Sequence, residues 1–118
     1  MEWLFLYGTL RPGEVRHGWI RRARPRCILP AEASGQLLDL GQFPAMIEGN
    51  GRVTGEAVGF ESLAELLPVL DEVEGSRFKR TRIVVETASG PLKVWTYLWI
   101  GGRGGGRRIG SGDWRNRG

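Results

Sequence analysis

Cysteine and histidine are almost missing from this 118-residue sequence, which has one of each, Cys27 and His17. A lone cysteine excludes an internal disulfide and any multi-cysteine zinc cluster, and it suits a reducing compartment better than a secreted one. His17 stands in a polar, basic segment without metal-ligand spacing. It reads as a surface histidine, and metal catalysis has no donor set to work with. No Gly-x-Ser-x-Gly elbow is present and the sole histidine has no evident partner, so serine-triad hydrolysis is excluded. Gly101–Gly106 resembles a phosphate cradle, but it lacks the Lys-Ser/Thr that would follow and no helix pattern comes after it; it reads as a flexible loop. No cofactor is implied by any motif. Long apolar runs are missing too. Trp3–Leu6 is far too short for a signal or membrane segment, and Glu2 occupies a place where a signal peptide carries a cation. The expectation is a soluble cytoplasmic protein without a membrane partner.

What is abundant is arginine and glycine. The net charge is +4, and all of it lies in residues 103–118, where five arginines face Asp113 and leave the rest of the chain neutral. A second basic cluster, Arg16–Arg26, reads as a solvated surface. At this length one domain is expected, burying roughly two thirds of the surface its unfolded chain would expose. We assign residues 1–100 to a barrel and residues 101–118 to a Gly/Arg-rich segment that packs on the barrel or trails from it.

The opening run Trp3-Leu4-Phe5-Leu6 is a strand that stops abruptly at Tyr7-Gly8-Thr9-Leu10-Arg11-Pro12-Gly13. A glycine-containing turn at a strand end can offer its backbone N–H groups to an anion. Further on, the later part of Cys27–Leu40 reads as a strand, Gly41–Pro44 as a turn and Ala45–Glu48 as a short strand. Gly49-Asn50-Gly51 is a hairpin signal answered by a strand over Arg52–Phe60. Val53, Gly55, Ala57 and Gly59 share one face of that strand, small enough for sharp curvature or the approach of another backbone. Ser62-Leu63-Ala64-Glu65 has the form of a capping box for a helix running to about Glu74, with Gly75 as its stop and Pro68 as an expected kink. Phe78–Thr87 and Pro91–Ile100 read as two closing strands joined at Ala88-Ser89-Gly90. The order predicts an α+β fold: a small, mostly antiparallel, curled β-barrel flanked by one main helix and short helical pieces.

On a helical wheel with Leu63 at zero, Leu66, Leu67, Leu70 and Val73 fall within about 80° on one side and 40° on the other, and Glu74 falls at about 20°, inside that apolar arc. Burying an ionised carboxylate is costly unless it is paired. Glu74 is therefore either a structural partner of Arg80 or Arg82, or is turned outward by the kink, or is an acid/base group. The helix C-terminus and apolar surroundings would raise its pKa toward that last role. Glu56, sharing a strand face with Val58 and Phe60, is the second-choice acid.

Taken together, Tyr7-Gly8-Thr9-Leu10-Arg11-Pro12-Gly13, Leu40-Gly41-Gln42-Phe43-Pro44-Ala45, Val53-Thr54-Gly55-Glu56, Leu70-Asp71-Glu72-Val73-Glu74-Gly75 and Ser111-Gly112-Asp113-Trp114 resemble the gamma-glutamylcyclotransferase-like family, which includes avirulence-induced-gene-like proteins and gamma-glutamylamine cyclotransferases. These segments follow the family's order over nearly the whole chain. The resemblance implies that Tyr7, Gly8, Thr9 and Leu10 bind the substrate and that Glu74 is the catalytic acid/base. It also implies a small-molecule gamma-glutamyl amine or conjugate as substrate, closing on itself to 5-oxoproline and releasing the amine. One departure is Phe78-Lys79-Arg80, where many relatives have Tyr-x-Arg. Two other classes stand beside the enzyme: a module gripping nucleic acid through the Arg/Gly tail, which has only Trp114 as an interleaved aromatic, and a metabolite sensor that keeps the pocket without turnover.

Overall fold

The computed structural model describes residues 1–102 and 106–117. The Gly101–Gly106 loop, Arg103 and Gly118 of the Arg/Gly segment therefore lie partly or wholly outside the described residues. Strand β1 (Glu2–Leu6) is followed by a short helix α1 (Gly18–Arg22), the long strands β2 (Cys27–Asp39) and β3 (Pro44–Phe60), the main helix α2 (Leu66–Glu74), and strands β4 (Phe78–Thr87) and β5 (Gly90–Trp99). Two residues, Arg107–Arg108, form β6, and Trp114–Asn116 make one 3-10 turn.

The sheet runs β3-β1-β5-β4-β2, and β2 pairs back onto β3, which closes a five-stranded barrel with β6 added on β2. Among the described residues only β1–β5, joined at Leu4 and Trp95, is parallel. The first strand lies between β3 and β5 and is buried on both faces, which is why its sequence is a continuous apolar run rather than an alternation. Phe5 and Tyr7 enter the barrel core with Ala33, Leu37, Val53 and Val94. Leu4 and Leu6 point the other way, into a second core shared with Ile20 of α1 and Leu66, Leu67 and Leu70 of α2. Ile109 and Trp114 of the C-terminal segment complete the barrel core.

Gly55 explains where β1 stops. A Cβ at that position would collide with the Leu6 carbonyl oxygen, so only glycine lets the end of β1 press against β3 before the chain turns away.

Three local expectations are corrected. First, Gly49-Asn50-Gly51 is not a hairpin turn: β3 runs through it, and the reversal between β2 and β3 is at Leu40–Phe43, where the Leu40 N–H donates to the Phe43 carbonyl. The glycine-rich stretch forms a bulge instead, because the pairing steps from Gln36↔Ile47 to Ser34↔Arg52. Second, β2 occupies the whole of Cys27–Asp39 rather than its later part. Third, the capping box does not form. The Ser62 hydroxyl accepts from the Ala64 N–H, while the Leu63 N–H is taken by the Glu2 carboxylate at 2.5 Å. With α2 starting at Leu66, Pro68 falls in the first turn, where a missing N–H costs no intrahelical bond, so it does not kink the helix. No helix among the described residues is long and apolar enough to cross a membrane.

Candidate active site

A cavity of about 100 Å³ opens at the mouth of the barrel, between the turn that follows β1 and the C-terminal end of α2. Tyr7, Gly8, Thr9, Leu10 and Glu74, the five residues singled out from the sequence, all line it. They meet because β1 delivers the turn to the barrel mouth while the apolar arc of α2, anchored by the fully buried Leu70, carries Glu74 round to the same place.

The turn closes through a hydrogen bond from the Arg11 N–H to the Gly8 carbonyl, and the Arg16 N–H donates to the Thr9 carbonyl. Among the described residues, the N–H groups of Gly8, Thr9 and Leu10 donate to no backbone or side-chain acceptor. Successive unengaged donors of this kind are able to hold an anion. Gly8 itself is required sterically: a Cβ there would lie 2.6 Å from Pro44 Cγ, in the pocket wall. Gly8→Ala is expected to push the turn off Pro44, destabilise the fold by about 1–3 kcal/mol and raise KM. Thermal melts with steady-state kinetics check this, and an unchanged KM would show that the turn does not position substrate.

Tyr7 is buried, and its hydroxyl donates to the Tyr97 carbonyl at 2.6 Å. Burial and the nearby Glu74 charge push its pKa up, so it stays protonated. The Tyr97 hydroxyl, raised by burial and by its 2.7 Å bond to Asp71, does likewise. Glu74 is half-buried and, among the described residues, makes no hydrogen bond or ion pair. The partners considered from sequence are engaged elsewhere: Arg80 with Asp71 at 3.4 Å, and Arg82 over the Trp95 ring at 4.8 Å. Burial lifts the Glu74 pKa from 4.5 to about 7, with Arg16 partly opposing. A carboxyl poised near neutrality and free of partners can both take and return a proton.

Glu56, the second-choice acid, is tied up. Arg11, 3% exposed, grips both of its oxygens at 2.8 and 2.9 Å and reaches Asp113 Oδ1 at 2.8 Å. Arg115 extends the network to Glu14 at 3.4 Å and donates to the Pro12 carbonyl. This cluster fastens the turn to β3 and to the C-terminal segment.

Sequence reasoning missed several pocket residues. Arg16, read as solvated, lines the cavity. His17 is half-buried rather than on the surface, its Nδ1 2.9 Å from the Leu10 carbonyl oxygen, where it braces the turn. Phe43, Phe78, Thr96 and Tyr97 also line the cavity. Phe78, noted only for its missing hydroxyl, stacks edge-on with Trp99 at 5.2 Å.

This chain belongs to an enzyme family, the gamma-glutamyl cyclotransferases, AIG2-like, whose sequence profile matches residues 4–116. A Vibrio cholerae protein provisionally named a gamma-glutamylcyclotransferase is 32% identical over 116 residues, covering 97% of this chain and 96% of that protein. The gamma-L-glutamyl-butirosin B gamma-glutamyl cyclotransferase of Niallia circulans is 34% identical over 107 residues, 81% of this chain and 65% of that protein. Among solved structures, YkqA from Bacillus subtilis superposes with a TM-score of 0.78 at 28% identity over 97% of this chain, which spans 39% of YkqA.

Proposed function

We propose that this protein converts a gamma-glutamyl amine or related conjugate to 5-oxoproline and the free amine, with Glu74 as general base and then general acid. The observation that carries this reading is the unpaired, half-buried Glu74 carboxyl sharing one small cavity with the unengaged N–H groups of Gly8, Thr9 and Leu10. Membership of the cyclotransferase family supports it.

In this scheme the turn N–H groups, helped by the positive charge of Arg16, hold the substrate's α-carboxylate. Glu74 takes a proton from the α-ammonium. The freed amine attacks the side-chain carbonyl carbon of the same molecule, forming the ring N–C bond, and the bond from that carbon to the departing nitrogen breaks. Both protons shed by the α-ammonium end on the released amine, the first handed over by Glu74, so no co-reactant is consumed. Closing a five-membered ring within a folded ligand is mainly a matter of orientation. The pocket's chief tasks are to hold the bent glutamyl chain and to exclude water.

A pH profile and a product assay test this together. The base must be ionised, and its folded pKa is about 7. Accordingly kcat/KM should fall about tenfold per unit below pH 7 and level off above it. Release of 5-oxoproline from gamma-glutamyl amides, followed by chromatography, is the readout. Absence of that product sinks the reading, and a profile flat from pH 5 to 8 removes Glu74 as base.

A further inference from the structure

We propose that the amine released by this enzyme carries an aromatic ring, seated against Phe43 and Phe78; the inference rests on the cyclotransferase reading above. The cavity, about 100 Å³, is well below the ~300–1,000 Å³ of pockets that enclose whole ligands. It takes the glutamyl part, and the rest of the conjugate lies outside. The floor is buried and includes Phe5, Tyr7, Thr96 and Tyr97, whereas Phe43 and Phe78 are half-buried at the rim.

Phe43, Phe78 and Trp99 form a triad with ring centroids 5.2, 6.1 and 6.3 Å apart, at interplanar angles of 68° and 56°. Phe43 and Phe78 line the cavity and are only half-buried, so they keep ring surface for a further aromatic group, while Trp99 packs against both without lining it. Phe78 brings no hydroxyl that such a group would have to desolvate. Phe78 and Tyr97 also border a shallow neighbouring groove, walled by Lys79, Arg80 and the 60% exposed Ile100. Asp71 in that groove is engaged by Arg80 and by the Tyr97 hydroxyl. With Arg80 paired to Asp71, Lys79 leaves the groove that meets a departing amine's tail net positive. A neutral ring is accommodated, and a tail bearing a second ammonium is repelled.

The test is steady-state release of 5-oxoproline from the gamma-glutamyl amides of benzylamine, methylamine and 1,4-diaminobutane, the last conjugated at one nitrogen. The benzylamide is expected to exceed the methylamide about tenfold in kcat/KM, and the diaminobutane conjugate to fall below the methylamide. Phe78→Leu and Phe43→Ala should each reduce the benzylamide-to-methylamide ratio at least about threefold, with folding verified by circular dichroism. A wild-type ratio near one, a preference for the diaminobutane conjugate, or two folded variants that keep the full ratio would overturn the aromatic preference while the reaction itself stands. No 5-oxoproline from any of the three overturns the reaction and this inference together.

Discussion

Glu74→Gln is expected to lower the rate of 5-oxoproline release about 10²–10⁴-fold, the range for loss of a positioned proton carrier. The amide keeps the shape and hydrogen-bonding capacity of the side chain but cannot hold a proton in transit, so KM should change far less than kcat. Turnover equal to wild type would remove Glu74 from the mechanism. The same substitution has a second, opposite effect on stability. The folded protein holds the Glu74 proton more tightly than the unfolded chain does, with a pKa of about 7 against 4.5. Stability is therefore fully present below pH 4.5 and is lost as the pH rises through 7, by at most about 3 kcal/mol. The glutamine variant has no such titration. It should match wild type near pH 4 and melt at a higher temperature at pH 8, a readout that separates a strained functional carboxyl from an ordinary surface one.

Arg11→Met should destabilise the fold by about 3–5 kcal/mol, roughly 12–20 °C in Tm at neutral pH. The guanidinium is 3% exposed and makes three bonds of 2.8–2.9 Å to Glu56 and Asp113. Removing it leaves two carboxylates facing one another, with Arg115 no nearer to Glu56 than 3.9 Å. Burial acts against the Asp113 charge, but its Arg11 bond and the Arg115 N–H outweigh that and lower its pKa. The stabilisation is thus present above the ordinary carboxylate range and is lost as the pH falls through the folded value. The gap between wild type and variant should narrow in acid. Adding Glu56→Gln and Asp113→Asn to Arg11→Met should recover part of the loss, because the unpaired charges are then gone. If the single variant melts like wild type, the cluster is not what holds the turn.

How much of this was legible in the sequence depended on whether the deciding interaction was local. The wheel placed Glu74 on the inner face of α2 correctly, because helical period alone fixes that direction. The end of β1 was readable because an apolar run met a glycine turn, and Gly55 could be read as a point of close approach. Gly49-Asn50-Gly51, by contrast, carries the same signal for a hairpin as for a bulge. The length of β2, which pairs on both sides of it, decides the outcome. Ser62 had the right spacing for a cap, yet its hydroxyl accepts from the Ala64 N–H and α2 starts only at Leu66. Arg16, Phe43 and Tyr97 reach the pocket only through barrel closure, and no window of sequence announces that.

The turn that would grip the substrate is held by partners at the far end of the chain. Tyr7 bonds to a residue 90 positions later, and Arg11 to one 102 positions later. During synthesis the first dozen residues can pair with β3 and Glu56 as soon as those emerge, but the bond from Arg11 to Asp113 waits for Ser111–Trp114. Such distant pairings are slow to form. The turn should consequently be fastened in two stages, first to β3 and only at the end to the C-terminal segment, so that chains terminated before Asp113 carry a looser turn.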